Sequence, residues 1–492
     1  MSAAMKPLHA GAALRWTALA AAVAALSACN LAPKHQTPPL SVPAQVMPAN
    51  ADPRAVGTTP VEWNEAAMAP ALALTDWVQD ERLRQLLAQA VGQNRNLQQA
   101  VLNVERARAL YGITRANQLP NIGLSSQATR TRTAADLSSS GQSTELNQFT
   151  VQLGITAFEL DFWGRVRNLS EASLQQYLAQ TEVQQNVRLT LVGDVVQAWL
   201  NLAADQQRLR LARETLAGRE KAFSLTQRMH ELGATSGLVL AQNQTTVDAA
   251  RLDVAAYTSQ IAKDRHALEL LAGGPVSDAL LPLPSDVLEH HVAAVLDAPA
   301  ALPSSVLLRR PDVHAAEYQL RAMSANIGVA RANFFPRINL TAAIGTGSRA
   351  LSALFGSGNG TWSFGPALSL PIFDGGANQA NLRVAEVDRE LAVNAYDRAV
   401  QTAFREVADA LAERLTWQER LSAATALVAA NQKALDLSNA RFKAGTDNYL
   451  SVLDAQRSLY VAQQQLISLR LAEQINRVAL YKALGGDAPQ PG

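Results

Sequence analysis

No proline interrupts the chain from Gly164 to Leu232 or from Gly376 to Ala444, two stretches of 69 residues each. A continuous helix of that length, rising roughly 1.5 Å per residue, extends about 100 Å, several times the width of a small domain. The two stretches also agree in register: Leu209, Leu216, Phe223 and His230 map onto Leu421, Val428, Leu435 and Phe442 at a constant offset of 212. Spacing by seven keeps such positions on one seam of an under-wound helix and suits long helices packed side by side. A cytoplasmic coiled coil would satisfy this feature by itself, so the rest of the chain has to decide.

Each long helix is preceded by segments of a different period. Ile122, Leu124, Ser126 and Ala128 alternate with more polar neighbours, as do Phe149, Val151, Leu153 and Ile155; period two is strand geometry. Between them Thr133 to Leu146 is polar and reads as an exposed loop. In the second half Ile338, Leu340, Ala342 and Ile344 mark a third strand, and Trp362, Phe364, Leu368, Leu370 and Ile372 a fourth, joined by a Gly/Ser loop around Phe355 to Gly360. An earlier helical pattern runs from Glu81 to about Gln118, where Pro120 stops it. The long stretches reverse at Gly233 and Gly445 and return as shorter helices, from Leu238 to about Leu271 and from Tyr449 to Leu484. Gly445 lies 212 residues after Gly233, and Gly485-Gly486 lie 212 after Gly273-Gly274, so the sequence carries an internal two-fold repeat.

The N-terminus sets the compartment. Lys6 and Arg15 precede an apolar run from Trp16 to Leu26 that is too short to span a bilayer, and Leu26-Ser27-Ala28-Cys29 follows, the pattern of a bacterial export signal. Cys29 is the only cysteine, which excludes an intramolecular disulfide. From Leu31 to Pro60 seven prolines rule out regular helix, so an extended tether is expected. A formal net charge of +1 gives no electrostatic reason to expect nucleic acid as a partner.

Alternating apolar segments of about ten residues match the strands of an outer-membrane barrel. An open four-stranded sheet in lipid would leave its edge N–H and C=O groups unpaired, at several kcal/mol each. One chain cannot finish such a structure, whereas three would supply twelve strands, within the range of known barrels.

Leu307-Leu308-Arg309-Arg310-Pro311-Asp312-Val313, followed by Ala330-Arg331-Ala332-Asn333-Phe334-Phe335-Pro336, resembles the signature of the outer-membrane factors, the TolC-like and OprM-like exit ducts of tripartite efflux pumps. Gly365 to Gly376 and Asn448 to Leu459 resemble it too, and the resemblance covers nearly the whole mature chain. It implies an α+β membrane protein: a homotrimeric 12-stranded β-barrel, four strands per chain, in the outer membrane, continued by a long α-helical barrel in the periplasm. The implied partners are a periplasmic adaptor and an inner-membrane transporter of the RND type, with outer-membrane lipid around the strands. The duct conducts passively, performs no chemistry and uses no cofactor. Leu-Ser-Ala-Cys resembles a lipobox, which implies a diacylglyceryl group and an N-acyl chain on Cys29; Asn30 is not the aspartate associated with inner-membrane retention.

The resemblance also implies sites. Gly233, Ser236, Gly445 and Thr446 occupy the places that the family presents to the adaptor at the periplasmic tip, although glycines there would be needed simply to turn the chain. Leu450 and Asp454, four apart on one helix face, match a leucine ring and an aspartate ring at the closed pore end. The corresponding residues in the first half are Leu238 and Gln242, and Ser451 stands where some members carry a further aspartate. The expected division is a signal peptide at 1–28, a lipid-anchored tether at 29–62, a first repeat (helix, strand, strand, long helix, helix) at 63–274, a Pro-rich linker at 275–305, a second repeat at 306–486 and a tail at 487–492.

Enzymatic readings find little. His290-His291 beside Glu289 lack a third spaced ligand, His230-Glu231 does not extend to a zinc motif because position 234 is Ala, and Arg309-Arg310 before Pro311 read as a helix start rather than a phosphate site. A lipid-anchored periplasmic coiled-coil scaffold is the alternative, but it would have no use for four lipid-length alternating segments.

Overall fold

The computed structural model describes residues 30–47, 77–139, 141–286, 291–293 and 302–486. The expected signal peptide, Cys29, part of the tether, part of the linker and the tail lie outside the described residues. In chain order the elements are β1 (Gln45–Val46), α1 (Glu81–Gln93), α2 (Arg95–Ala116), β2 (Ile122–Thr133), β3 (Thr144–Glu159), α3 (Arg165–Glu231), α4 (Gly237–Ala272), β4 (Leu302–Pro303), α5 (Pro311–Ala332), β5 (Arg337–Ser348), β6 (Gly360–Ser369), α6 (Ala377–Lys443) and α7 (Tyr449–Ala483). The chain divides into two compact units. The first holds the sheet β2-β3-β5-β6 and the helix segments that enter and leave it; the second holds the remaining helical residues.

α3 and α6 are 67 residues each, one residue inside the expected limits at both ends. The expected helix from Glu81 to Gln118 is instead two helices. Asn94 is extended (φ −63°, ψ 126°); its Oδ1 accepts from the Leu97 amide at 3.0 Å and its Nδ2 donates to the Leu271 carbonyl at 2.9 Å. The side chain thus ends α1, caps α2 and ties both to α4, a break that the apolar periodicity does not register.

In the sheet unit all pairing is antiparallel. One row across the four strands is Leu124, Leu153, Ile344 and Trp362, and the next is Ile122, Ile155, Ala342 and Phe364. This apolar face is uncovered: Leu124 is 73% exposed, Ile344 67% and Trp362 81%. The opposite face carries Ser125, Gln152, Gly345 and Thr361 in one row. Glycines at Gly154 and Gly345 let β3 and β5 approach, because a Cβ would strike the Ala342 carbonyl oxygen from one and the Val151 carbonyl oxygen from the other. Two limits differ from expectation. The polar stretch read as a loop continues both strands, with Arg132 opposite Glu145 and Thr133 opposite Thr144, and β6 stops at Ser369, leaving Leu370 and Ile372 outside it. Solvated hairpin ends pair without needing an apolar alternation.

In the helical unit the core is built on large side chains. Trp77 stacks on Tyr481 at 3.8 Å, and Trp199 donates to the Leu280 carbonyl at 3.0 Å while meeting His291 edge-on at 4.7 Å. His291 Nδ1 lies 3.2 Å from Asp80, whose carboxylate also takes Arg82; burial holds the imidazole below its ordinary pKa. Tether and linker meet here: Gln45 and Val46 pair with Pro303 and Leu302, and Val46 and Leu302 are fully buried. Arg310, the residue before Pro311, is buried, donating to both Asp312 oxygens at 3.0 and 2.8 Å, to the Ala483 carbonyl at 3.1 Å and to Glu406 at 2.7 Å. It joins the start of α5 to α6 and α7. Arg310→Ala removes charge-assisted bonds to two partly solvated carboxylates and the donor to the Ala483 carbonyl, and is expected to cost about 1–3 kcal/mol, read as a lowered thermal midpoint; Arg310→Lys, which keeps charge but not the fork, should fall between.

Candidate functional site

The two helix reversals belong to the helical unit and are built alike. After α3 ends, Gly233 adopts φ +74°, its amide donates to the His230 carbonyl at 2.9 Å, and the Ala234 amide reaches back to Met229 at 2.7 Å. After α6 ends, Gly445 adopts φ +73°, donates to Phe442 at 2.9 Å, and the Thr446 amide reaches Arg441 at 3.1 Å. The left-handed glycine lets the last turn close on its own carbonyls. The returning helices are capped by side chains: Ser236 accepts from the Val239 amide at 3.4 Å and Asn448 from the Ser451 amide at 3.3 Å. Gly233, Ser236, Gly445 and Thr446 are all exposed, and nothing lies within 4 Å of a Cβ placed on either glycine. The second reversal has an extra brace, a bidentate Arg441–Asp447 pair at 2.6 and 3.0 Å, and the guanidinium holds the Asp447 carboxyl below its usual range.

Leu450 and Asp454 lie on one exposed face of α7 just past this reversal. They line a groove of about 400 Å³ with Gln242, Thr245, Asp253 and Tyr460. Gln242, the residue that corresponds to Asp454 in the first half, therefore shares its groove, whereas Leu238 does not line it. Asp454 forms an ion pair with Arg457 at 3.2 Å, within the helix and one turn apart. Ser451 serves the cap of α7, with its hydroxyl donating to the Asn448 carbonyl at 2.8 Å.

The groove also holds residues that pattern reading passed over. Arg219 of α3 is buried, donates to the Thr246 carbonyl at 2.8 Å and sits 5.4 Å over the Tyr460 ring. The Tyr460 hydroxyl donates to Asp253 at 2.9 Å; burial and that carboxylate push the phenol far above its ordinary pKa, so it stays a donor. A signal was available, since Ala212, Arg219 and Thr226 are buried at heptad spacing, and a cation in a seam position is anomalous. The seam chosen from sequence is its half-buried neighbour: Leu209, Leu216 and Phe223 are partly covered and His230 is exposed. His291 is a core residue, Glu289 and His290 lie outside the described residues, and no cluster of three metal-ligating side chains occurs among the described residues.

These features define a class: long antiparallel helices closed by glycine turns, joined to a sheet whose apolar face is uncovered. Residues 86–274 and 302–486 match the model of the outer membrane efflux protein family, and the chain belongs to that family. It is 43% identical over 464 residues (94% of this chain, 95% of the relative) to the toluene efflux pump outer membrane protein TtgF of Pseudomonas putida. To the outer membrane protein OprJ of Pseudomonas aeruginosa it is 39% identical over 461 residues (94% and 93%). The solved open-state MtrE outer membrane channel of Neisseria gonorrhoeae superposes with a TM-score of 0.81 at 36% identity, covering 93% of this chain and 98% of that one. The chain is thus an outer-membrane component of an efflux system, in a family of channels rather than of enzymes.

Since space around Gly445 is open, the penalty for a side chain there is conformational alone. Gly445→Ala should cost about 1–2 kcal/mol and speed amide exchange over residues 441–450 about tenfold, since tenfold is about 1.4 kcal/mol. Gly445→Asn, which tolerates the left-handed region, should exchange nearly as the parent does.

Proposed function

We propose that three copies of the chain close a 12-stranded barrel in the outer membrane and continue it as a helical duct in the periplasm. The duct receives small molecules from a periplasmic adaptor and an RND-type inner-membrane transporter and releases them outside. The observation that carries this reading is the pair of open sheet edges: among the described strands β2 pairs only with β3, and β6 only with β5. A second copy's β2 is the natural partner for β6, and three such junctions leave no edge in lipid. The uncovered apolar face suits contact with acyl chains, which a periplasmic scaffold would have no reason to expose.

Several finer points follow the same reading. Cys29 carries a diacylglyceryl group and an N-acyl chain that hold the N-terminus at the membrane. The equal length of α3 and α6 and the shared bonding of the two reversals support an internal duplication, with repeats at 63–274 and 306–486. Gly233, Ser236, Gly445 and Thr446 form the adaptor-contacting tip, and small exposed residues there allow close backbone approach. Leu450 and Asp454 from three chains narrow the pore, with Arg457 beside each carboxylate tempering its charge. Relatives are named for toluene and antibiotics, so small apolar and amphiphilic compounds are the expected cargo.

Detergent-extracted protein should have the mass of three chains by native mass spectrometry; a stable monomer with full strand content would refute the shared barrel. In planar bilayers Leu450→Ala/Asp454→Ala should raise single-channel conductance severalfold and weaken cation preference. Conductance and selectivity equal to the parent, in a trimer, would place the constriction elsewhere.

A further inference from the structure

We propose that Arg337 forms a cationic ring at the base of the barrel, which concentrates anionic solutes there and sets the charge preference of that part of the conduit. This rests on the three-chain barrel proposed above. Within one sheet the register assigns every strand residue to a face. Ile338, Leu340 and Ala342 stand on the apolar face, so Arg337, Asn339 and Thr341 stand on the other, with Arg337 opposite Ser369 at the end where the strands meet the helices. The inward positions of the four strands are otherwise neutral, made of residues such as Gln127, Thr129, Gln152 and Ser363. Among the described residues of these strands, Glu159 and Arg337 carry the charge on that face.

Glu159 is cancelled locally. Both its oxygens accept from Arg165, at 2.7 and 2.6 Å. Asp161 is matched likewise, 3.6 Å from the Arg167 guanidinium and accepting the Arg167 amide at 2.8 Å, whereas Asp374 takes the Gly376 and Asn378 amides, each at 2.9 Å, at the start of α6, where the helix N-terminus offsets about half its charge. Among the described residues Arg337 has no acidic partner. It is exposed, and its guanidinium donates to a neutral acceptor, Asn333 Oδ1, at 2.6 Å. That bond anchors the guanidinium without discharging it. Trp163 fixes the strand start from behind, donating to the Pro336 carbonyl at 2.9 Å and stacking on Phe335.

Twelve strands about 4.8 Å apart, tilted about 40°, enclose a wall of about 12 Å radius. The Debye length is about 10 Å at 0.1 M salt and about 3 Å at 1 M. Three uncompensated guanidinium groups on such a wall therefore bias the lumen at low salt and lose that influence at high salt.

The test is the reversal potential of trimers in planar bilayers under a KCl gradient, in the Leu450→Ala/Asp454→Ala background so that the tip does not limit. Near 0.1 M, Arg337→Gln should raise the potassium-to-chloride permeability ratio about twofold or more, Arg337→Glu further, and Arg337→Lys should keep the parental ratio. The differences should collapse at 1 M. Asn339→Asp, which leaves Arg337 in place and adds a carboxylate on the same face, should shift the ratio in the same direction if the Arg337 variants fail to assemble. Arg132→Gln, on the outward face, should leave it unchanged. Conducting trimers whose ratio does not respond to Arg337→Gln, Arg337→Glu or Asn339→Asp would overturn the ring, as would an equal response to Arg132→Gln. A parent that forms neither trimers nor channels would instead overturn the shared barrel, and the ring with it.

Discussion

Backbone hydrogen bonding in a medium without water is the constraint on which the rest depends. A four-stranded sheet pairs its two inner strands fully and its two outer strands on one side only, and hydrocarbon offers the remaining groups nothing. β2 has 12 residues and β6 has 10, so each open edge carries several unpaired donors and acceptors, at several kcal/mol apiece. No arrangement of side chains within one chain offsets that sum. In the proposed barrel the same medium accounts for the uncovered side chains, because Trp362 and Phe364 are costly in water and favourable in lipid.

The helical elements are stabilised differently. α3 and α6 are too long to be held by capping, and they bury Ala and other small side chains on narrow seams: Ala203, Ala204 and Ala212 in one, Ala403 and Ala410 in the other, all at or near zero exposure. Small residues let helices approach closely, and the large side chains concentrate where the tether, the linker and the end of α7 converge, at Trp77, Trp199 and Tyr481. Arg310 adds direction to that packing, since its fork fixes the start of α5 against α6 and α7.

Much of this was legible in the chain. The limits of α3 and α6 fell within one residue of expectation because the absence of proline and the presence of glycine are local signals. The strands were legible because one face of the sheet is apolar and the other polar, which makes alternation strict. What was missed depends on tertiary partners. Asn94 breaks a helix by bonding to Leu271, and Thr144 to Asn147 pair as strand where both faces are wet. At the candidate gate, Leu450 and Asp454 were placed correctly on one face, but the Arg457 pairing and the Arg219–Tyr460–Asp253 set depend on which rotamers and which helices meet.

The same alternation constrains its own register. Sliding β5 by one residue would exchange its faces, sending Asn339 and Thr341 into lipid together with Arg337, and an arginine costs about 2–4 kcal/mol at the bilayer midplane, less near the interface. The slip would also carry Gly345 away from the Val151 carbonyl and bring a side chain into the gap that only glycine fits. Polar residues on the inward face and glycines at the β3–β5 contact thus oppose the same error by independent means. A charge at the base of β5 therefore has a structural effect as well as an electrostatic one: it disfavours the slipped register while standing on the polar face, which the proposed barrel turns toward its lumen.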